Sequence, residues 1–457
     1  MANPILMLAG HAAGWRGRPI PPPLAHAARR ALVDWFGCLL AGRGSPPATL
    51  LARALAEERG PGRAVSYVEA CRAPVRHAAL LNAAASHTVE FDDIHRDSGF
   101  HPACPTISAA LAVAQAKGRS LDDLLRAVIA GYEVSCRIGL AVMPSHYRMW
   151  HITGTVGTFG AATAAAVLLD CDADQCAHAL ATAATTAGGL QQAFRGAGMS
   201  KPMHPAHAAE AGTLAALAVG AGVTGALDVL HGPVGFAAAT SDGTGDWLRA
   251  LDGLGERYAI AEMTFKNHGC CGHIHAPLDA VALLQARHGL RAADVERIEV
   301  EGYAATQEVC DRPVAATEQE ARFSAQFCLA TQLLHGGVRL SAFGPDRLAD
   351  PALKALMDRI SVRAAPDLVA LYPGRRAARV TVTLRNGRTL FHEQPTRKGD
   401  PDAPLSDDEL SAKFLELASP ALGSDAPRFL RSLWTGNELP GELALPPLDL
   451  SAPAHPQ

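Results

Sequence analysis

The stretch AAEAGTLAALAVGA, at residues 208–221, decides the fold class because it is long, apolar and built mainly from alanine and glycine. Alanine has the highest intrinsic helix propensity, and small side chains let neighbouring helix axes approach closely. Residues 161–167 (AATAAAV) and 177–187 (AHALATAATTA) have the same character. Working outward, residues 22–251 are a succession of Ala-, Leu- and Gly-rich segments separated by short polar loops, which predicts a multi-helix core.

Two helix starts carry capping patterns. Ser120, followed three residues later by Asp123, resembles a capping box before a helix over residues 121–142. Asp172 or Asp174 is suited to cap the next helix. These signals are local, so they support the helical prediction independently of composition.

The pattern changes after about residue 277. One helix is predicted over residues 278–287, and it is followed by residues 295–303, in which β-branched and charged residues alternate with period two. Residues 359–363 are a second strand candidate. Strands and helices alternate here in short lengths, so we expect a second domain of α+β class.

A β-hairpin is the clearest element of this second domain. Residues 379–384 and 389–393 flank a turn containing Asn-Gly, which supplies the positive φ angles of a tight hairpin. Helical character returns at Ser406, because Glu409 completes another capping box.

Composition excludes several classes of protein. The chain has 48% hydrophobic residues and a net charge of -4, which is typical of a folded globular protein and not of a disordered one. No basic tract is present, and aromatic residues make up only 5%, so no nucleic-acid partner is expected. The sequence contains neither a secretory signal pattern nor an apolar run of about 20 residues. A cytoplasmic location and reduced, buried cysteines follow as expectations.

Lysine is scarce among the 41 basic residues. Because a lysine ammonium is compact and its pKa moves readily on burial, each lysine in such a chain is worth locating. Lys201 and Lys266 occur in His-rich loops, whereas the other four occur in ordinary polar or helical contexts that predict a surface position: Lys117, Lys354, Lys398 and Lys413.

The loop SHTVEFDDIHRDSGFHP, at residues 86–102, gathers four carboxylates and three histidines. One interpretation is an acid/base loop in which the acids orient the imidazoles, and another is a metal site, since His and carboxylate ligands suit zinc, iron or manganese. A third is a polar loop with capping aspartates. The sequence lacks an HxxxH or HExxH frame, which favours the two non-metal interpretations.

Three further loops carry cations near predicted helix starts. His151 precedes the helix that starts near residue 156, where backbone N–H groups collect and anions bind, although such a histidine is more often a cap or a surface residue. Residues 195–207 (RGAGMSKPMHPAH) bring Lys201 and two histidines to another helix start. Residues 265–275 (FKNHGCCGHIH) combine Lys266 with three histidines and two adjacent cysteines, which make a poor tetrahedral metal pair.

Four cationic loops on one helical scaffold favour a di- or tricarboxylate ligand, whose charges need several positive or N–H partners. An iron–sulfur dehydratase would perform similar chemistry, but the sequence offers no CxxC frame for a cluster. A carboxylate-binding or assembly protein without catalytic activity is the non-enzymatic alternative.

At these loops the sequence resembles the 2-methylcitrate dehydratase (MmgE/PrpD) family, which also includes cis-aconitate decarboxylase and iminodisuccinate epimerase. The motifs that carry the resemblance are SHTVEFDDIH with HPACPTISAALAVA, WHITGTVGTFGAATAAAVLL, MSKPMHPAHAAEAGTLAALA, FKNHGCCGHIHAPLDA and EARFSAQFCLATQLLHGGV. The resemblance implies a mainly α fold: a large helical domain formed by residues 1–269 and 404–457, with a smaller α+β domain at 270–403 and a site between them. It also implies a homodimer, no cofactor and no obligatory metal.

The resemblance also implies roles for individual residues. Catalytic roles are implied for His151, Lys201, His101 and Asp93. Substrate-binding roles are implied for Lys266, Glu90, His204, Asp92 and His275. Three positions depart from the family pattern. Glu90 stands where aspartate is usual, Ile94 where threonine is common, and Phe327 where the decarboxylase branch has tyrosine.

The implied activity is that of a hydro-lyase. A base, His151 or Lys201, removes the proton α to a carboxylate, cations at Lys266 and His101 stabilise the enediolate, and an acid protonates the departing hydroxyl. An epimerase of an amino- or imino-dicarboxylate shares the first step and is the alternative. Decarboxylation is less favoured, because the departures at Glu90, Ile94 and Phe327 alter the expected substrate contacts.

Overall fold

The computed structural model describes residues 3–194 and 198–450. The chain divides into two compact units. Unit 1 contains the described residues up to Thr88, Asp92–Met263 and the described residues from Ser406 onward. Unit 2 contains Thr264–Leu405 together with the three-residue segment Val89–Phe91.

The helices are numbered in chain order. Those of the first part of unit 1 are α1 (Pro4–Ala13), α2 (Pro22–Gly42), α3 (Pro46–Ala54), α4 (Val75–Thr88), α5 (Ala103–Lys117), α6 (Leu121–Val142), α7 (Ile152–Leu168), α8 (Ala173–Ala184), α9 (Met203–Gly220), α10 (Phe236–Thr240) and α11 (Trp247–Leu251). Those of unit 2 are α12 (His275–His288), α13 (Ala304–Cys310), α14 (Glu318–Arg322), α15 (Ala325–His335), α16 (Pro345–Ala349), α17 (Pro351–Met357) and α18 (Pro366–Leu371), and unit 1 ends with α19 (Asp407–Leu422) and α20 (Ala426–Thr435).

The strands are short and few. They are β1 (Ala64–Ser66), β2 (Cys71–Ala73), β3 (Ile94–His95), β4 (Met263–Thr264), β5 (Val295–Gly302), β6 (Ile360–Ala364), β7 (Ala378–Leu384) and β8 (Thr389–Gln394). β1 and β2 form an antiparallel pair in unit 1. The chain is therefore mainly α-helical with a smaller α+β part, as predicted.

Small residues pack the centre of unit 1. Every residue of α7 is buried. A Cβ added to Gly212 of α9 would lie 2.4 Å from the Thr158 carbonyl oxygen and 2.6 Å from the Ala161 Cβ of α7. Backbones can approach this closely only where a side chain is missing or very short. The Ala- and Gly-rich stretches thus form the closely packed helices that their composition predicts.

Local capping signals place several helix starts correctly. Ser120 and Asp123 make a reciprocal capping box at the start of α6, and Asp172, not Asp174, caps α8 with Gln175. Ser406 and Glu409 do the same for α19. Each box satisfies backbone N–H groups that the first turn of a helix leaves unpaired.

Unit 2 is built on a four-stranded sheet in the order β6-β5-β7-β8. The hairpin of β7 and β8 is confirmed, with Val382 opposite Leu390 and Gly387 at φ +83° in the turn. β5 pairs antiparallel with β7 and parallel with β6. Residues of β5 and β7 that point to one side, among them Ile298, Val300 and Val380, are buried.

Backbone hydrogen bonds explain where unit 2 begins. The structure divides the chain at residue 264, six residues before the predicted boundary at 270. Phe265 N donates to Gly399 O at 3.1 Å, and Gly269 N donates to Val338 O at 2.9 Å, so this loop is bonded to later parts of unit 2. Such pairings are remote in sequence, and no local pattern indicates them.

One lysine was placed wrongly by its sequence context. Lys413 of α19 is buried, and its Nζ donates to Asp34 Oδ1 of α2 at 2.6 Å. A surface position was predicted because Lys413 occurs in an ordinary polar or helical sequence context. The buried pair instead joins helices that lie near opposite ends of the sequence.

Candidate functional site

The candidate site in unit 1 contains a carboxylate that contacts two imidazoles. Asp92 Oδ2 accepts from His87 Nδ1 at 2.7 Å and lies 3.2 Å from His101 Nδ1. His87 is in the last turn of α4, Asp92 follows in the loop, and His101 lies two residues before the start of α5. Burial alone would raise the pKa of Asp92, but the two imidazoles outweigh it and hold that pKa well below its usual range. Asp92 is therefore an anion that orients both rings.

A second pair of imidazoles lies beside this carboxylate. His151 Nδ1 and His204 Nδ1 are 2.9 Å apart, and the ring of His87 lies 5.6 Å from that of His151. His151 is the N-cap residue of α7, and His204 lies in the first turn of α9. We call His87, His101, His151 and His204, with Asp92, the histidine cluster.

Glycine permits the contact between the two helix starts. A Cβ added to Gly154 would lie 2.8 Å from His204 Cβ and 2.5 Å from the Gly188 carbonyl oxygen. The HITGT sequence therefore lets α9 bring His204 up to His151. A larger residue at position 154 would separate the pair.

Both members of this pair are neutral at pH 7. Burial, followed by the charge of Lys201, lowers the pKa of His151 well below its usual value. Burial, followed by the effect of His87 and then of Lys201, lowers the pKa of His204 to about 4. An Nδ1–Nδ1 contact between neutral rings requires one to donate and the other to accept. The pair can thus present a proton acceptor in an otherwise cationic neighbourhood.

Lys201 is the ammonium that acts on this pair. It is buried and lies just ahead of α9. The loop predicted at residues 195–207 therefore brings both Lys201 and His204 to the cluster, although its residues 195–197 lie outside those that the structure describes. A neutral imidazole beside an ammonium has the parts needed to remove a proton and to stabilise the resulting anion.

Asp93 has different partners from its neighbour Asp92. Its Oδ2 accepts from Tyr132 Oη at 2.8 Å, and its Oδ1 accepts from Ala103 N at 3.2 Å at the start of α5. Burial, followed by the charge of Asp34, raises the pKa of Asp93 well above its usual value. These contacts support a helix start, and the catalytic role assigned to Asp93 stays a prediction.

Unit 2 carries a separate buried ion pair. Lys266 Nζ donates to the Glu90 carbonyl oxygen at 2.8 Å and lies 3.6 Å from Glu90 Oε2. Glu90 has φ +53°, an unusual backbone conformation for a residue with a side chain. Arg322 donates to the neighbouring Val89 carbonyl at 2.9 Å, which helps to hold this segment in unit 2.

His275 is also in unit 2, at the first position of α12. It is fully buried, and its Nε2 lies 3.2 Å from the Cys270 carbonyl oxygen. Burial lowers its pKa well below the usual value. These contacts fix the start of α12, and substrate binding by His275 stays a prediction.

Comparison with known proteins identifies the family to which the chain belongs. Residues 7–247 match the family model for the MmgE/PrpD N-terminal domain, and residues 268–433 match that for the MmgE/PrpD C-terminal domain. The chain belongs to the MmgE/PrpD family. The family that the loop motifs predicted is thereby confirmed.

Several curated relatives within the MmgE/PrpD family are similar along most of their length. "Cis-aconitate decarboxylase-like protein oryM" of Aspergillus oryzae is 29% identical over 436 residues, covering 89% of this chain and 88% of that protein. Cis-aconitate decarboxylase of Homo sapiens is 28% identical over 365 residues, covering 78% and 75%. The enzyme of that name from Aspergillus terreus is 26% identical over 428 residues, covering 87% and 86%.

Two departures from the MmgE/PrpD pattern are apolar and buried. Ile94 forms part of β3, and Phe327 stacks on Phe343 with ring centroids 5.8 Å apart. Neither can supply the hydroxyl group of the family's threonine or tyrosine. The third departure, Glu90, retains its carboxylate and directs it to Lys266.

One group among the described residues has the spacing needed to hold a metal ion. Ligand atoms of His87, Asp92 and Cys104 lie within 4.8 Å of one another. The 2.7 Å contact between His87 and Asp92 is that of a hydrogen bond, and burial raises the pKa of the Cys104 thiol well above its usual value. Asp92 thus serves as the hydrogen-bond acceptor for His87 in this group.

His87 is the residue of the cluster that sequence reasoning did not select. It is in the acid-rich loop at residues 86–102, but its role depends on Asp92 turning back toward α4. The available signal was its spacing of five residues from Asp92, which is not specific.

Within the described part of the chain, no helix is long and apolar enough to cross a membrane.

Proposed function

We propose that this MmgE/PrpD protein is a hydro-lyase that needs no metal ion and dehydrates a small di- or tricarboxylic acid by removing the proton α to a carboxylate. The observation that carries the proposal is the buried, neutral His151 in contact with His204 and under the influence of the Lys201 ammonium. A neutral imidazole is a general base, and an adjacent ammonium favours an anionic substrate and an anionic intermediate.

In the proposed reaction, His151 accepts the proton from the α carbon. The C–H electron pair moves into the carboxylate to give an enediolate, which Lys201 and His101 stabilise. The enediolate then forms the carbon–carbon double bond as the β C–O bond breaks, and the departing hydroxyl takes a proton and leaves as water. We assign Asp92 to holding His101, and substrate binding by Lys266 and Glu90 stays a prediction from the family resemblance.

Decarboxylation is the second candidate, because the curated relatives are named cis-aconitate decarboxylases. It would break a C–C bond to release CO2, and the resulting carbanion would take up a proton. The apolar side chains at Ile94 and Phe327 argue against the same substrate contacts as in that branch. Epimerisation would use the same proton abstraction and return the proton to the opposite face.

Proton NMR in D2O distinguishes these reactions. We would incubate the enzyme separately with 2-methylcitrate, citrate, cis-aconitate and amino-dicarboxylates. A new alkene formed with loss of a hydroxyl group supports the proposal. Release of CO2 from cis-aconitate would replace it with decarboxylation, and deuterium uptake with inversion and no alkene would replace it with epimerisation.

Variants test whether the named residues form the site. His151→Gln and Lys201→Met should each lower turnover by about 100-fold or more, as expected for losing a general base or an essential cation. The matched controls are His288→Gln and Lys117→Met, which alter exposed residues. Full activity in both cluster variants, with the controls also active, would remove this site from the proposal.

The proposed ligand and assembly can be tested separately. We propose a small polycarboxylate as the ligand and a homodimer as the assembly, following the family resemblance. Light scattering on the purified protein measures its mass against the 47.7 kDa of one chain. An iron assay that found a stoichiometric cluster would overturn the metal-independent mechanism in favour of an iron–sulfur dehydratase.

A further inference from the structure

Unit 2 contains a cleft of about 740 Å³ next to helix α12. Four residues of α12 line it, namely Asp279, Ala282, Leu283 and Ala286. Residues three and four apart in a helix lie on one face, so these four belong to a single face of α12. Small-molecule pockets in proteins usually have about 300–1,000 Å³, and this cleft is therefore large enough for a ligand.

The polar groups of the cleft gather at the Asp279 end of this face. Asp279 Oδ1 lies 3.0 Å from His268 Nε2, and Asp279 Oδ2 accepts from the Lys398 backbone N at 2.7 Å. Arg339 Nη1 donates at 2.6 Å to the carbonyl oxygen of Asn267, the neighbour of His268. All five residues line the cleft. This end therefore has two basic side chains and one carboxylate, and both oxygens of that carboxylate already contact a protein nitrogen.

Packing holds the polar end of the cleft in place. The side chains of His268 and Asp279 are only 7% and 11% exposed. The ring of His268 also packs edge-on against that of His275, with ring centroids 5.2 Å apart. Groups that are already fixed lose little conformational freedom when a ligand binds, which lowers the entropic cost of binding.

The rest of this face of α12 is apolar. Ala282 and Leu283 are half-buried and Ala286 is exposed, so this surface is open to a ligand. Val338 adds a further apolar side chain to the lining. Ala286 follows Asp279 by two turns of the helix, which places the two residues about 10 Å apart along the helix axis. The cleft is therefore basic at one end and apolar along the remainder of this face.

We propose that this cleft binds an aliphatic monocarboxylate of medium chain length. The ligand carboxylate lies near the basic side chains of Lys398 and Arg339, and the alkyl chain lies along Leu283 and Ala286. An extended alkyl chain advances about 1.25 Å per carbon, so about eight carbons match the length of the apolar face. Octanoate has this length and a single charge, and it is the probe for the site.

The cleft suits a different ligand from the proposed polycarboxylate substrate. A di- or tricarboxylate that filled it would place a second charge against the apolar face, where the charge loses hydration without gaining a partner. An alkylamine would place a cation beside Lys398 and Arg339. The described residues that line the cleft do not include Lys266 or Glu90, so octanoate binding is independent of the proposed dehydration.

NMR titration of the full chain, labelled with carbon-13 in its histidine rings, tests the inference. The spectrum of His268→Gln identifies the His268 signal by its loss. We expect octanoate to shift that signal saturably. Hexanoate should bind about 15-fold more weakly, because each buried methylene changes Kd by about four-fold. Decanoate should gain little over octanoate, since the apolar face ends, and octylamine and citrate should leave the signal unchanged.

Matched variants test whether octanoate occupies the cleft. Lys398→Gln should weaken octanoate binding by about two- to five-fold, whereas Lys354→Gln, at an exposed position of unit 2, should leave it unchanged. Leu283→Asn should weaken binding by about ten-fold or more, and the control Leu371→Asn, also exposed in unit 2, should not.

Three results would overturn the inference. These are equal binding of octylamine and octanoate, an affinity that does not depend on chain length, and a wild-type His268 signal without a saturable shift. The wild-type ligand series decides the matter even if a variant fails to fold. Octanoate binding should persist in His151→Gln, so a failure of the proposed function and a failure of this inference are distinguishable.

Discussion

Replacing Lys413 by methionine should destabilise unit 1 strongly. Lys413 Nζ donates to Asp34 Oδ1 at 2.6 Å, and both side chains are buried, with relative side-chain exposures of 2% and 0%. Methionine keeps most of the apolar stem and removes only the charge. Asp34 would then be left as a buried carboxylate without its cation, and such a loss costs about 3–5 kcal/mol.

Tryptophan fluorescence can follow this change in unit 1 specifically. All five tryptophans of the chain lie in unit 1, and Trp434 Nε1 donates to Ser411 Oγ, two residues from Lys413. With an m-value of about 3 kcal/mol/M in urea, a loss of about 4 kcal/mol lowers the unfolding midpoint by about 1.3 M.

Two further variants separate the charge effect from the general effect of substitution. Arg428→Met removes an exposed ion pair with Asp425 and should change the unfolding free energy by less than about 1 kcal/mol. The double variant Asp34→Leu with Lys413→Met removes both buried charges and should recover most of the lost stability. A Lys413→Met midpoint equal to that of the wild type, or a double variant less stable than Lys413→Met, would refute the reasoning.

Three other predictions concern pH, an ion pair of unit 2 and helix packing. Burial lowers the pKa of His146 from 6.5 to about 4, so the unfolded chain takes up a proton first as pH falls. The unfolding free energy should therefore drop by about 3 kcal/mol between pH 6.5 and pH 4. In urea titrations, His146→Gln should weaken this dependence of the unfolding free energy on pH. Arg397→Met removes the guanidinium that pairs with the buried Asp400 carboxylate and should accelerate amide hydrogen exchange in unit 2, whereas unchanged exchange would argue that the pair is dispensable. Gly212→Ala should cost about 1–3 kcal/mol because its Cβ meets α7, whereas Gly220→Ala, which meets nothing, should be neutral in the same thermal melt.

The parts of the fold that sequence predicts are those with local causes. The capping box at Ser120 marks the start of α6, and Asn386-Gly387 marks the hairpin, because each signal lies within a few residues of the structure it specifies. The parallel pairing of β5 with β6 and the inclusion of residues 264–269 in unit 2 depend on partners more than 60 residues away. No periodicity or cap reports such partners.

The same distinction applies to the site. Lysine scarcity singled out Lys201 and Lys266, and both are buried beside other charged or titratable groups. Local sequence context gave the wrong answer for Lys413, whose partner Asp34 is 379 residues away. The scarcity of lysine makes each lysine worth locating, but only the fold determines which of them become buried.

The acidic run of residues 90–93 shows how neighbouring residues can serve separate purposes. Glu90 pairs with Lys266 in unit 2, and Asp92 contacts two imidazoles in unit 1. Asp93 accepts hydrogen bonds from Tyr132 and from the backbone at the start of α5. The positive φ of Glu90 accompanies the passage of the chain from one unit to the other at residues 89–91. Glutamate in place of the family's aspartate at position 90 should therefore alter the surroundings of Lys266 and leave the hydrogen bonds of Asp92 and Asp93 in place. The departure from the family pattern at position 90 leaves the proposed base, His151, unchanged, so under the proposed function it should affect which acid is bound more than whether a proton is abstracted.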